Sequence, residues 1–124
     1  MKEHNVVGWF EIYVQEMNRA KAFYETVFDL RLTELPSPIV KMWAFPMRPE
    51  APGCTGALVH MAGVESRMGG TIVYFYTPDC AIEAQRAAEN GGRIFKPKFS
   101  IGDYGFISLV HDTEGNMIGL HSMK

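Results

Sequence analysis

Three side chains that can move a proton or bind a cation stand within stretches otherwise suited to strands: Glu11 in "GWFEIYV", His60 in "GALVHM" and His121 in "NMIGLH". A carboxylate in the middle of a strand faces a wet cleft or has a partner, because isolated burial of its charge is costly. Glu11 is read as a general base or ligand anchor, or else as one side of an ion pair or hydrogen bond to His60 or His121. A carboxylate in a half-apolar cleft can abstract a proton without a metal. His60 and His121 offer donors and acceptors to a polar ligand, or serve as a core hydrogen-bonder and an end-of-chain spectator. Trp9, Tyr13 and Phe75 add flat apolar contact, or plain packing.

These residues define a candidate site for a small organic ligand made of Trp9, Glu11, Tyr13, His60, Phe75 and His121, with Glu11 and His60 as the catalytic candidates. No cofactor is expected. If a divalent metal binds, Glu11, His60 and His121 are of the right types for a three-residue facial set. Other reactive groups carry less. Cys54 and Cys80 are expected as free thiols, since two cysteines do not make a disulfide framework, and Cys80 has no evident base beside it. "HDTEGN" at 111–116 reads as a turn, and "FSIGDYG" at 99–105 as a glycine-hinged rim or an ordinary loop.

The elements that must position the site come in a repeated order. "VVGWFEIYV" is a strand with Trp9, Glu11 and Tyr13 on one face and Phe10, Ile12 and Val14 on the other. Asn18 is expected to cap a helix whose apolar stripe is Ala20, Phe23, Tyr24, Val27 and Phe28. "RLTEL", "VKMWAF" and "GALVHM" follow as strands. "GTIVYFYT" then starts a second round, with Asp79 capping a helix that "NGG" at 90–92 ends, and with "RIFKP", "FISLV" and "NMIGLH" as its strands. A shift of about 62 residues lays Trp9, Glu11 and Tyr13 over Thr71, Val73 and Phe75, and a shift of about 59 lays His60 over Gly119. The expected fold class is therefore α+β, one domain over 1–124 built of two βαβββ modules, 1–66 and 67–124. Helices cover the outer faces. The inner faces, carrying Leu58, His60, Thr71, Val73, Phe75, Met117, Gly119 and His121 besides the first strand's residues, are expected to form a cleft.

Composition narrows the partners. The 124 residues carry a formal net charge of −2, and 47% are hydrophobic, enough for one core. That balance lacks the basic footprint of a nucleic-acid binder. No apolar run approaches a membrane span or a secretory signal, so the chain is expected in the cytoplasm, away from membranes. Exposed aromatic strand surface favours a homodimer.

The duplicated pattern, with "VQEMNRAKAFYETVFDLRL" near the start and "VHDTEGNMIGLHS" near the end, resembles the vicinal oxygen chelate superfamily, which includes glyoxalase I, extradiol dioxygenases, methylmalonyl-CoA epimerases and bleomycin resistance proteins. The resemblance implies a glyoxalase/bleomycin-resistance-like fold with a curved mixed-sheet cleft. It also implies four inner-face metal positions, falling here at Trp9, His60, Thr71 and Gly119, of which only His60 is a good ligand. The expectation is thus a metal-independent small-molecule binding protein. The alternative is a lyase, isomerase or dioxygenase-like enzyme on a small oxygenated substrate, with Glu11 as base or with a metal on Glu11, His60 and His121.

Overall fold

The computed structural model describes residues 4–66 and 69–124. Its elements follow the expected order: β1 (Val7–Tyr13), α1 (Met17–Phe28), β2 (Thr33–Glu34), β3 (Lys41–Ala44), β4 (Thr55–His60), β5 (Thr71–Tyr76), α2 (Cys80–Glu89), β6 (Arg93–Ser100), β7 (Phe106–His111) and β8 (Met117–Ser122). The fold is α+β, made of two βαβββ modules. Two compact units carry them: Trp9–Thr71, and the segment up to Gly8 together with Ile72–Lys124. Neither described helix is long and apolar enough to cross a membrane.

In the first unit the strands run in the order β2, β3, β4, β1. β1 and β4 are parallel, joined through α1 and the intervening strands, while β3 pairs antiparallel with both neighbours. Register sets the faces, because residues opposite one another in neighbouring strands point the same way. Ile12 pairs with Leu58, and Leu58 with Trp43. That face meets α1: Val14, Met17, Leu32 and Leu58 form the core, with Ile12, Ala20, Tyr24, Trp43 and Phe45 against it. Trp43 and Phe45 are thus helix-side core residues, and Lys21 lies over the Trp43 ring. Gly56 is required where β4 passes β1, because a Cβ there would overlap the Phe10 carbonyl oxygen and ring.

α1 starts one step earlier than its expected cap. Glu16, not Asn18, is the N-cap: its carboxylate accepts from the Asn18 N–H at 3.1 Å. Asp29 closes the helix in the left-handed region at φ 51°, a conformation aspartate tolerates better than most residues. Only part of the expected stripe is covered. Ala20 and Tyr24 pack inward, whereas Phe23, Val27 and Phe28 are 56%, 55% and 60% exposed.

The second unit repeats the plan with the order β5, β8, β7, β6 and a parallel β5–β8 pair. Asp79 caps α2 as expected, accepting from the Ala81 N–H at 3.1 Å. Its core is Cys80, Ala84, Val110 and Leu120, with Phe75, Ala87, Ile94, Phe106 and Ile118 packed against it. β6 is longer than "RIFKP" and irregular around Pro97, which has no N–H for a ladder. Phe99 and Ser100 belong to that strand, and "GDY" forms a single 3-10 turn. "HDTEGN" is a turn organised by Asp112, whose carboxylate is held below its ordinary value by the backbone N–H of Asn116 and, less, of Glu114.

The repeat offset differs from the one expected. Helix caps Glu16 and Asp79 lie 79 − 16 = 63 residues apart, and helix starts Met17 and Cys80 likewise 80 − 17 = 63. The returning strands β4 and β8 correspond at 62, since Leu58, opposite Ile12, matches Leu120, opposite Phe75. One residue of offset moves a strand side chain to the other face. The repeat mates of Trp9, Glu11 and Tyr13 are therefore Ile72, Tyr74 and Tyr76, and the mate of Gly119 is Ala57.

Candidate functional site

β1 is paired on its β4 side and has side chains on both faces, so a polar residue on it must find its partners along the strand or across the ladder. Glu11 finds two along the strand. Tyr13, only 6% exposed, donates its hydroxyl to Oε1 at 2.8 Å, and Trp9 donates its indole N–H to Oε2 at 3.3 Å. Both donors are two residues from Glu11, where the pleat returns side chains to the same face. The three sequence candidates on β1 are thus one hydrogen-bonded group on the face away from α1. Ala57 and Val59 share that face across the ladder, as partners of Glu11 and Tyr13.

His60 does not join them. It ends β4 opposite Lys41 with the parity of Leu58, which is buried in the helix-side core. The expected placement of Leu58 and His60 on the face of Glu11 is corrected by this register. Glu11 is bonded along its own strand to the aromatic donors Trp9 and Tyr13.

In the second unit the same one-residue correction applies to β5. Phe75 pairs with Leu120 and packs with the α2 core, so it faces the helix and is not exposed for ligand contact. Tyr74 and Tyr76 lie on the opposite face, in register with Gly119 and His121. His121 does face away from α2, as expected. Its Nε2 donates to the Tyr104 carbonyl at 2.6 Å, and its ring lies 5.8 Å from that of Tyr76. The imidazole is thereby engaged with the turn at 102–104 of its own unit.

Gly119, one of the positions that the resemblance gives to a metal ligand, has no space beside it for a side chain. The room belongs to Tyr74: a Cβ at 119 would overlap the Tyr74 ring. This bears on the superfamily's metal. Once the repeat is set by the caps, the four positions equivalent to Trp9 and Gly119 in the two units are Trp9, Ala57, Ile72 and Gly119, and none has a donor atom in its side chain to give a metal. Among the described residues no group of three or more His, Cys, Asp or Glu comes together to hold an ion, so the displaced set Glu11, His60 and His121 is not assembled. The residues present do not fit the metal, and no chemistry is routed through it.

A shallow depression of about 280 Å³ opens at the carboxyl end of β1, bounded in part by Ile12, Tyr13, Val14, Arg19, Ala20 and Tyr24; most of these lie on the α1 side of the strand, and Glu11 is not among its lining residues. Gln15, which also lines it, and Arg19 were not singled out from the sequence. Their signal was positional: polar residues following a strand and opening a helix stand at a strand's carboxyl end, where α/β layers commonly bind ligands.

In the second unit Lys98 hydrogen-bonds Asp79 at 2.9 Å. That bond, and then the Ala81 N–H, hold the Asp79 carboxyl below its ordinary value near 3.8. This pair caps α2 and lies on the helix side.

The fold has many solved counterparts. A methylmalonyl-CoA epimerase from Mycobacterium tuberculosis superposes with a TM-score of 0.68 at 15% identity, over 96% of this chain and 88% of that one. A hypothetical protein from Bacillus halodurans gives 0.71 at 15%, over 95% and 94%. A Streptomyces coelicolor methylmalonyl-CoA epimerase variant in complex with 2-nitronate-propionyl-CoA gives 0.69 at 16%, over 94% and 96%. At these identities the likeness is one of fold. No curated protein matches the sequence. The sequence profile of the Glyoxalase/Bleomycin resistance protein/Dioxygenase superfamily, however, matches residues 6–120, nearly the whole length over which the two modules run. With two βαβββ modules in order and that match end to end, the chain belongs to the glyoxalase/bleomycin resistance protein/dioxygenase superfamily.

Proposed function

We propose that the protein is a metal-independent enzyme of isomerase or lyase type, in which Glu11 takes a proton from carbon beside a carbonyl of a small oxygenated substrate. The observation that carries this reading is the Glu11 carboxylate, half-buried on a strand and held at both oxygens by Trp9 and Tyr13. Proton removal moves the C–H electron pair onto the carbonyl oxygen as an enolate. Delivery of a proton from water to the other side of that carbon inverts it, the proton on Glu11 passing back to solvent; loss of a leaving group with its electron pair from the next carbon instead completes an elimination. Solved neighbours named methylmalonyl-CoA epimerase support the isomerase form.

The test is proton exchange in deuterium oxide with chelator present, followed by NMR on methylmalonyl-CoA, simple acyl-CoA thioesters and short 2-oxo acids. Exchange that survives the chelator and falls in Glu11→Gln supports the reading. Exchange that needs added metal, or persists in Glu11→Gln, overturns it. The second reading is a ligand-binding protein without turnover, favoured by the two hydrogen bonds that already occupy Glu11. Saturable quenching of tryptophan fluorescence by these compounds, with no exchange in any, decides for it.

A homodimer is part of the proposal. The exposed Phe23, Val27 and Phe28 on α1 support it, as an apolar surface that a second copy would cover. Light scattering should give twice the 14.0 kDa chain mass; the single-chain mass at all working concentrations rejects it.

A further inference from the structure

The hydrogen bonds at Glu11 give roles to two neighbours that were expected to touch ligand. Trp9 Nε1 is 3.3 Å from Oε2 and the Tyr13 hydroxyl 2.8 Å from Oε1, so each carboxylate oxygen has its own donor, one from either direction along the strand. We propose that Trp9 and Tyr13 are positioning residues that clamp the Glu11 carboxylate from its two sides, fixing the plane in which it meets a substrate. This rests on Glu11 as the reacting group, but the clamp itself is measurable without any substrate.

The geometry follows from the strand. Side chains at i−2, i and i+2 stand on one face, about two rises of roughly 3.3 Å apart. A glutamate is long enough to tilt and swing between such neighbours; donors on both sides remove that freedom. Each donor is also carried by a large planar group with few rotatable bonds, and Tyr13 is buried at 6% exposure. The donors are therefore fixed before a substrate arrives. Donated hydrogen bonds favour the ionised carboxylate, the form a base needs. The clamp thus assigns Trp9 and Tyr13 to holding Glu11 ready, not to recognising the substrate.

Trp9 also makes the clamp visible. The chain has two tryptophans, Trp9 and Trp43, so a nitrogen–proton correlation spectrum contains two indole signals, and Trp43→Phe assigns them. On titration with acid, the Trp9 indole signal should move as Glu11 takes up its proton. The movement should vanish in Glu11→Ala. In Tyr13→Phe, which removes only the hydroxyl, the midpoint should rise, because the ionised form has lost a donor. Trp9→Phe should shift the acid limb of proton exchange upward in the same sense, with kcat falling about tenfold and KM little changed. A Trp9 signal that is flat with pH, or a midpoint indifferent to Tyr13→Phe, overturns the clamp. If the wild type shows no exchange with any substrate while the indole titrates as stated, the enzyme reading fails and the clamp stands.

Discussion

The first unit sets a carboxylate between an indole and a phenol at positions 9, 11 and 13; the second sets Ile72, Tyr74 and Tyr76 at the same three strand positions. On the helix side the two agree closely. Ile12 opposite Leu58 under α1 matches Phe75 opposite Leu120 under α2, with an acidic cap at the start of each helix. Packing constrains one face of each sheet in the same way, because each helix needs an apolar bed at fixed spacing. The other face has diverged. One copy kept or gained an ionisable group, and the other filled its equivalent space with a ring over Gly119. The proposed proton transfer would therefore belong to one repeat, with a ring at the equivalent position of the other.

The largest test of that asymmetry is catalytic. In the exchange assay, Glu11→Gln should lower kcat roughly a thousandfold, within the range for loss of a general base, while Tyr74→Phe at the equivalent position should change it less than threefold. A comparable loss in both would mean that the repeats share the work.

The symmetric side should respond symmetrically. Leu58 is fully buried and Leu120 is 6% exposed, so Leu58→Ala and Leu120→Ala should each cost about 3 kcal/mol in urea denaturation. A near-neutral result at one position would show that the beds are not equivalent.

The filled side of the second unit should resist enlargement. Gly119→Ala should destabilise by about 2 kcal/mol, since the methyl meets the Tyr74 ring, and a Tyr74→Ala background should relieve the overlap. The reciprocal change at the repeat mate, Ala57→Gly, removes a fully buried methyl and should cost about 1 kcal/mol. Equal stability of Gly119→Ala and the parent would contradict the ring placement.

The smallest effect separates the caps by pH. The Lys98 hydrogen bond, with the Ala81 N–H, depresses the folded-state value of Asp79 below 3.8. Its contribution is therefore fully present above that value and is lost as pH falls through the lower folded-state value. Lys98→Met should weaken that acid dependence, seen as a smaller drop in urea midpoint between pH 6 and pH 3. An unchanged drop would remove Lys98 from the cap.

The order of elements was legible because turns, caps and periodicity agree along the chain. β1 showed its faces as well, since Glu11 marks one of them. β5 did not. "TIVYFY" is apolar on both faces, so alternation gave no parity, and an offset one residue short put Val73 and Phe75 in the places of Tyr74 and Tyr76. Superposing the acidic caps in "VQEMNRA" and "TPDCAIE" would have supplied the 63-residue offset found between Glu16 and Asp79. In β4 the polar His60 suggested the wrong face, because a strand's last residue can be half-buried on either side and says little about parity. At the site, Glu11 and its aromatic neighbours were legible as types. Their hydrogen bonds to one another were not, since alternation places residues on a face without fixing rotamers.

The Tyr74 ring above Gly119 also orders the changes by which a metal-ligating side chain could be introduced at that position. A ligand introduced at 119 arrives in space that is already taken, so it is penalised before it can bind anything. Only after Tyr74 has shrunk does the same change become tolerable, and shrinking Tyr74 alone leaves a void with no function to reward it. The two steps are each unfavourable in isolation, so the ring makes them interdependent: only the pair of substitutions together opens this position to a larger side chain.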